Sequence, residues 1–161
     1  MSKKKLNHPH SNYIKHFNKN DPIFDSWFIK KLINNMPIKH RAKNRRAVFY
    51  AMRRVKLLTR TNPLLLFVLM VQHLRPLFWI RVRRFGKKEY RIPYRLDPLK
   101  QYKRSIKWIS MSILSRNEHN LVDKITNEFV DLLNKKSKVF DWRKNLVSDV
   151  IRNLHNADYR W

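Results

Sequence analysis

Residues 74–95 have the sequence LRPLFWIRVRRFGKKEYRIPYR, in which apolar and basic side chains alternate on both sides of one glycine. Alternation with a period of two is typical of a β-strand, and a glycine between two such runs indicates a hairpin turn. We therefore predict a protruding β-hairpin over about residues 76–96. Gly86 is the only glycine of the chain, and we place it at the tip, where positive backbone angles are needed.

The two strands can be aligned so that one face of the hairpin is apolar. In that register Val82 pairs with Tyr90 across a five-residue turn. The next apolar pairs are Ile80 with Ile92 and Phe78 with Tyr94. The opposite face then carries four arginines, which are Arg81, Arg83, Arg91 and Arg95. Because guanidinium groups match phosphate oxygens in geometry, we expect the apolar face to dock on the domain and the arginines to face phosphate.

The remaining chain is predicted to be mostly α, with six helices in a single domain over residues 21–161 and the hairpin between helices 3 and 4. Apolar residues recur at spacings of three and four, which is typical of amphipathic helices. The predicted core positions are Phe28, Ile29, Leu32, Ile33, Met36, Val48, Met52, Val55, Leu58, Leu99, Tyr102, Ile106, Ile109, Ile113, Val122, Ile125, Phe129, Leu132, Val147, Val150, Ile151 and Leu154. The third helix contains the apolar run 64–71, which predicts that it is buried at the centre. Predicted helix caps are Asp25 or Ser26, Asn62, Asp97 and Asp141.

The charge of the chain points to a polyanionic partner. Its 37 Lys and Arg residues outnumber 11 Asp and Glu residues, which gives a formal net charge of +26. Between Asp25 and Glu89 there is no acidic residue, although 17 basic residues lie there. An ordinary solvated surface mixes both signs, so nucleic acid is the leading partner.

The candidate phosphate-binding residues fall into four groups. The first is an extended basic arm over residues 1–20, with Lys3, Lys4 and Lys5. The second lies on the second helix: Arg41, Lys43, Arg46, Arg53, Lys56 and Arg60, of which Arg46, Arg53 and Arg60 recur every seven residues. The third is the hairpin and its entry: Arg75, Arg81, Arg83, Arg84, Lys87, Lys88, Arg91 and Arg95. The fourth is the basic side of the fourth helix: Lys100, Lys103, Arg104 and Lys107.

Several other classes are disfavoured. The chain has no cysteine, which excludes a disulfide scaffold and a thiolate zinc site. One glycine cannot build a glycine-rich phosphate loop, and the longest apolar run has eight residues, where a spanning helix needs roughly 20. The histidines show no His-x-x-x-His spacing, and His8 and His10 are expected to be solvated or to face phosphate. We therefore expect no catalytic residues, metal, cofactor or membrane partner, although a nuclease assembled from distant positions stays open.

The order of these features resembles the S-seven family of small-subunit ribosomal proteins over essentially the whole chain. The matching motifs are Leu74-Arg75-Pro76, Val82-Arg83-Arg84, Tyr90-Arg91-Ile92-Pro93, the segment 104–109 and the terminal Tyr159-Arg160-Trp161. Two segments depart from the family by lacking glycines: the hairpin tip at Phe85-Gly86-Lys87 and the turn at Pro37-Ile38-Lys39-His40. The tip geometry therefore stays open, and so does any contact with tRNA.

The resemblance implies a structural protein without enzymatic activity. It implies binding to the 3′ major domain of the small-subunit rRNA, nucleation of the subunit head, other head proteins as partners, and a hairpin near exit-site tRNA and mRNA. The few glycines, many Asn and Lys residues, and an N-terminus without a signal core favour an organelle-encoded mitochondrial member over one from the bacterial cytoplasm. The alternative function is a free-standing basic protein that compacts nucleic acid or acts on membranes.

Overall fold

A computed structural model of the chain describes residues 25–36 and 41–159. These residues form six α-helices, one two-stranded antiparallel hairpin and a final 3-10 helix. In chain order the elements are α1 Trp27–Asn35, α2 Arg41–Thr59, α3 Pro63–Leu74, β1 Phe78–Phe85, β2 Lys88–Arg95, α4 Pro98–Leu114, α5 Leu121–Leu133, α6 Lys138–Arg152 and the 3-10 helix Leu154–Tyr159. The predicted mostly α fold with a hairpin between helices 3 and 4 is confirmed. The predicted arm over residues 1–20 and the turn over residues 37–40 lie outside the described residues.

One hydrophobic core is shared by all six helices, and α4 lies in its interior. Ile106, Ile109 and Ile113 of α4 are fully buried, and their neighbours Ser105 and Ser110 are buried as well. The hydroxyl group of Ser110 donates to the Ile106 carbonyl at 2.9 Å, and that of Ser105 to the Gln101 carbonyl at 3.2 Å. Because the helix's own carbonyls satisfy these hydroxyls, polar residues can be buried here without a cost in unmade hydrogen bonds.

The prediction that α3 is buried on all sides is wrong. Phe67, Val71 and Leu74 are fully buried, and the Phe67 ring lies 5.3 Å from that of Phe129 on α5. Leu65 and Leu69, however, are more than half exposed. An apolar run cannot show which side of a helix lacks a neighbour, and within the described residues nothing covers this side of α3.

The helix caps were predicted correctly at some helices and not at others. Asn62 caps α3, since its Oδ1 accepts from the Leu64 N–H at 3.0 Å. Asp97 occupies the N-cap of α4, but its carboxylate pairs with Lys100 instead of capping the helix. Asp141 is not a cap, because α6 already begins at Lys138, and Ser137 accepts from the Val139 N–H at 3.2 Å.

The side of α6 that faces the core also differs from the predicted side. Its inward positions are Val139, Trp142, Leu146 and Val150. Three predicted core positions are instead exposed, which are Val147, Ile151 and Leu154. Two further predictions fail in the same way, because Leu58 and Leu99 lie at helix ends and are exposed.

The hairpin register differs by one residue from the predicted one. Val82 pairs with Arg91, not with Tyr90, and a two-residue turn joins the strands. Gly86 occupies the first position of this turn with φ +59°, as in the type II′ turn that suits the twist of paired strands. A turn of two residues, in place of the predicted five, shifts β2 by one position relative to β1. A shift of one residue moves each side chain of β2 to the opposite face of the hairpin.

The shift divides the four hairpin arginines between the two faces, so the prediction of one arginine face is wrong. The first face, which we call the Trp79 face, carries Trp79, Arg81, Arg83, Phe85, Lys88, Tyr90, Ile92 and Tyr94. The second, which we call the Val82 face, carries Phe78, Ile80, Val82, Arg84, Glu89, Arg91, Pro93 and Arg95. The Trp79 ring packs 6.1 Å from the Trp108 ring of α4, whereas Phe78 and Val82 are 42% and 53% exposed. Of the side chains predicted to face the core, Phe78 and Val82 are thus exposed, whereas Ile80, Tyr90 and Tyr94 are partly buried and Ile92 is buried.

No single helix among residues 25–36 and 41–159 is long and apolar enough to span a membrane. The pair α2 and α3 meets the criterion only when counted together, and the two helices are bent by 95° at the break between them.

Candidate nucleic-acid interface

The hairpin and α4 are joined at their basic sides by a cation–π contact. The guanidinium carbon of Arg104 lies 4.1 Å from the centroid of the Trp79 ring, within the range in which such contacts stabilise. Trp79 packs in turn on Trp108. Two groups of predicted phosphate-binding residues, which are separate in the sequence, are thereby placed side by side.

A second contact ties the hairpin entry to the same helix. The Arg75 guanidinium lies 5.9 Å from the Tyr102 ring centroid, and its Nη1 donates to the Tyr102 hydroxyl oxygen at 3.4 Å. On the hairpin itself, the Arg81 guanidinium lies 5.0 Å from the ring centroid of Tyr94. Stacking of this kind orients a guanidinium group but leaves its N–H donors available for phosphate.

The predicted hairpin cations are mostly exposed, but they differ in their surroundings. Arg81, Arg91, Arg95, Lys87 and Lys88 are exposed, and Arg83 is half-buried. Arg84 forms an ion pair with Glu89 directly across the strands. Its charge is therefore partly neutralised within the protein, and we expect it to bind phosphate less well than its neighbours.

The basic side of α4 is present as predicted. Lys100, Lys103 and Lys107 are exposed, and Arg104 is half-buried against Trp79. The Asp97 carboxylate lies 2.8 Å from the ammonium group of Lys100. A hydrogen bond to this carboxylate raises the pKa of Lys100 above its ordinary value. Lys100 is therefore charged and is paired with Asp97.

The predicted arginine series is exposed, but Arg60 lies just beyond the end of α2 with φ +54°, so the series does not continue along one helix face as predicted. Arg46 lies two helical turns before Arg53. Nearer the end of the helix, one shallow hollow is lined by Arg53, Lys56, Leu57 and Arg60. At the start of the helix, Arg41 and Lys43 are exposed, and the Arg41 Nε donates to the Asn34 side-chain oxygen at 3.1 Å. The predicted arm residues Lys3, Lys4 and Lys5 lie outside the described residues.

One cluster of charges was not predicted from the sequence. The Arg116 guanidinium lies 2.8 Å from carboxylate oxygens of both Glu118 and Glu128 and 2.6 Å from one of Asp131. Glu128 is 1% exposed and also accepts from the Ser137 hydroxyl group at 2.5 Å. Burial lowers the pKa of Arg116, but its hydrogen bonds to the three carboxylates outweigh this and raise the pKa above its ordinary value. The hydrogen bond from Arg116 in turn lowers the pKa of Glu118 to about 2. This cluster joins α5 to its flanking loops and is therefore structural.

The cluster left only a weak signal in the sequence. The predicted fifth helix, over about residues 118–135, mixes both charge signs, and this mixture indicates an ordinary solvated surface. The signal that could have corrected this is the position of Glu128, one residue before Phe129 on the core side of α5. A carboxylate so close to the core needs a cation within reach.

The chemistry of the exposed side chains is that of phosphate binding. Among the described residues, no three His, Asp or Glu side chains are grouped so that they could hold a metal ion. What the hairpin, α4 and α2 present are guanidinium and ammonium groups, which bind phosphate oxygens. The fold and the site thus define a helical nucleic-acid-binding domain with a basic hairpin.

The family is identified by comparison with known proteins. The sequence profile of the family described as Ribosomal protein S7p/S5e matches residues 4–147. A relative from Nautilia profundicola, named small ribosomal subunit protein uS7, is 29% identical over 142 residues, which cover 88% of this chain and 92% of the relative. Proteins of the same name from Helicobacter hepaticus and Limosilactobacillus fermentum are 25% and 24% identical over 142 residues, covering 88% of this chain and 92% and 91% of those relatives. The chain belongs to the Ribosomal protein S7p/S5e family.

This membership confirms the coarse functional predictions. The chain is a structural constituent of the small ribosomal subunit that binds rRNA, and it is not an enzyme. Its partners include other ribosomal proteins.

Proposed function

We propose that this chain binds small-subunit rRNA through four groups of cations. They lie on the hairpin, on the basic side of α4, on the first turns of α2 and at the N-terminal residues Lys3, Lys4 and Lys5. The observation that carries the proposal is the Arg104–Trp79 contact, because it joins the hairpin cations and the α4 cations at one place. RNA in A-form offers proteins mainly its backbone and shape, so recognition through phosphates is expected. Arg91 and Lys103 are representative contact residues.

Salt titration tests this mechanism. If roughly six to ten phosphates are neutralised, the affinity for an rRNA fragment should fall by about three to five decades between 50 and 200 mM salt. A nearly flat titration would contradict binding through phosphates.

Charge-neutral replacement tests the assignment of residues. The triple variant Arg81→Gln, Arg83→Gln, Arg91→Gln should lower the slope of the salt dependence by about two to three, roughly one for each phosphate that the variant no longer neutralises. The matched control, Lys138→Gln, Lys144→Gln, Arg152→Gln, removes the same charge from the exposed side of α6. Equal reductions in both variants would show that net charge, and not the hairpin, determines binding. Circular dichroism checks that helix content survives.

We further propose that the bound RNA is the 3′ major domain, that binding nucleates assembly of the subunit head, and that the hairpin lies near exit-site tRNA and mRNA. The hairpin supports the last point, because its tip at Gly86 is exposed. Crosslinks from Lys87 mapped on whole ribosomes test it. Crosslinks to rRNA far from the exit site would contradict the placement.

For the source we propose a mitochondrial ribosome, with the bacterial cytoplasm as the alternative. The composition supports the first, since one glycine and four alanines against 20 lysines and 15 asparagines fit an AT-rich coding genome. The relatives named above are bacterial. Fractionation of the source cells separates these two possibilities.

A sucrose gradient at moderate salt tests the alternative of a free-standing basic protein. The chain is expected to sediment with the small subunit, whereas a free-standing protein would stay near the top of the gradient.

A further inference from the structure

Four leucines remain exposed where α2 meets α3. Leu57 and Leu58 lie near the end of α2 and are 74% and 66% exposed, and Leu65 and Leu69 lie one turn apart on α3 and are 58% and 51% exposed. We call these four residues the leucine corner. Single exposed apolar residues are normal on a protein surface, whereas four exposed leucines within residues 57–69, on either side of one helix break, offer an apolar surface that another molecule can cover.

Cations border the leucine corner on α2. Arg53, Lys56 and Arg60 surround Leu57 in one hollow. Arg53 and Lys56 lie one turn apart on α2, and Arg60 directly follows the end of the helix, where its backbone φ is +54°. Arg54 pairs with Asp123 of α5. By contrast, Arg53, Lys56 and Arg60 have no carboxylate partner among the residues described, so their charges are available to an outside group.

RNA fits this surface poorly. A leucine side chain offers a nucleotide neither a hydrogen bond nor an aromatic face for stacking. Packing leucines against a phosphate backbone would remove water from phosphate without replacing its hydrogen bonds. The rRNA-binding prediction for Arg53, Lys56 and Arg60 is therefore less well supported than that for the hairpin and α4.

A second copy of the chain fits poorly too. Two copies meeting at this corner would bring the cations of Arg53, Lys56 and Arg60 toward each other, and each chain carries a net charge of +26. Like charges close together oppose such an association. The occupant that suits both the leucines and the cations is a protein segment with apolar and acidic side chains.

We propose that the leucine corner docks an amphipathic helix of another protein of the small subunit. That helix places apolar side chains on the four leucines and Asp or Glu side chains on Arg53, Lys56 and Arg60, as in helix-in-groove recognition. The inference rests on the proposed function, because the partner is supplied by the assembled subunit. It gives α2 two roles: rRNA binding at its start and protein binding at its end.

Photo-crosslinking in the assembled subunit tests the proposal. A photoreactive amino acid is placed at Leu57 or at Leu65 of the full chain, and the particles are isolated by sedimentation before irradiation. We expect crosslinks to one protein segment in which apolar residues alternate with Asp or Glu. Crosslinks to rRNA, to lipid or to a second copy, a protein segment without acidic residues, or no crosslink at all would each overturn the proposal.

Charge reversal gives the matched control. Arg53→Glu, Lys56→Glu and Arg60→Glu together should lower the crosslink yield at Leu65 by at least about tenfold, as expected for removal of a hot spot. The same reversal at Lys138, Lys144 and Arg152 on α6 should leave the yield unchanged. Equal yields in both variants would overturn the charge complementarity. Failure of the labelled chain to sediment with the small subunit contradicts the proposed function, whereas sedimentation without a protein crosslink contradicts only the docking site.

Discussion

The ring of Tyr159 packs against the ring of Tyr90, with 4.9 Å between the ring centroids. Tyr159 belongs to the final 3-10 helix and Tyr90 to β2, so this helix packs against the hairpin. Asn156 adds a hydrogen bond from its Nδ2 to the Arg91 carbonyl at 3.3 Å. A two-stranded hairpin alone is marginally stable in water. Tyr159, the first residue of the terminal motif that resembles the family, therefore has a structural role in this chain.

We predict that Tyr159→Ala loosens the outer half of the hairpin while the helical core stays intact. An aromatic pair contributes about 0.5–1.5 kcal/mol beyond its buried area, so amide hydrogens of β2 near Tyr90 should exchange roughly two to ten times faster. Mass spectrometry of hydrogen exchange measures this. Tyr159→Phe keeps the ring and is the control. Unchanged exchange in Tyr159→Ala would show that the Asn156 hydrogen bond suffices.

The division of the hairpin arginines predicts unequal contributions to rRNA binding. Arg91 and Arg95 lie on the Val82 face, which is largely in solvent, whereas the Trp79 face carries Arg81 and Arg83 and packs on Trp108. We expect Arg91→Gln with Arg95→Gln to weaken rRNA binding more than Arg81→Gln with Arg83→Gln. Filter binding at fixed salt compares the two variants directly, since each loses two charges. The reverse order would place the RNA on the Trp79 face.

This division also shows where sequence analysis of the hairpin reached its limit. Both strands alternate apolar and basic residues, and aromatic or branched residues occur at even and odd positions of β1, such as Trp79 and Val82. The pattern therefore predicted two strands and a tip at Gly86 but did not select the register. The register depends on the turn, which holds two residues instead of five.

The helices show a similar limit. Regular spacing predicted the buried faces of α1, α2 and α5 well, because one side of each helix packs on the core. It misplaced the buried side of α6, because a second apolar series, Val147, Ile151 and Leu154, also repeats at helical spacing but is exposed. The buried serines of α4 and the Arg116 cluster consist of polar residues, and their burial depends on partners that periodicity does not reveal.

Gly86 is expected to be needed for its backbone and not for its small size. Its φ is +59°, and a Cβ atom added there would meet nothing within 4 Å. A left-handed conformation costs an ordinary residue roughly 1–2 kcal/mol. We therefore expect Gly86→Ala to speed amide exchange in the hairpin about fivefold or more, and Gly86→Asn, which tolerates this conformation better, to have a smaller effect. Equal exchange in both variants would argue against backbone strain.

Lys135 is the opposite case, an ordinary residue in a position that suits glycine. It follows α5 with φ +57°, and the next N–H, from Lys136, donates to the Asp131 carbonyl at 2.8 Å, as in a Schellman motif. We expect Lys135→Gly to raise the free energy of unfolding by up to about 1 kcal/mol by removing strain. Lys136→Gly is the control and should not stabilise the protein. Urea denaturation followed by circular dichroism measures both.

The Arg116 cluster predicts how stability depends on pH. The pKa of Glu118 falls from 4.5 to about 2 in the folded protein, chiefly because its carboxylate accepts a hydrogen bond from Arg116 and also one from Asn127. A lowered pKa in the folded state means that the unfolded chain binds the proton first as pH falls. The contribution of Glu118 is therefore complete above about pH 4.5 and is lost progressively as pH falls toward 2.

Thermal unfolding of the RNA-free chain between about pH 7 and pH 2 measures this contribution. We expect Glu118→Gln to be less stable than the original chain at neutral pH and the difference to shrink below pH 4.5, because the original chain alone loses this contribution. Asp141→Asn removes an exposed carboxylate elsewhere on the surface and is the control. A difference between Glu118→Gln and the original chain that stays constant over the whole range would show that the ionised form of Glu118 is not what stabilises the cluster.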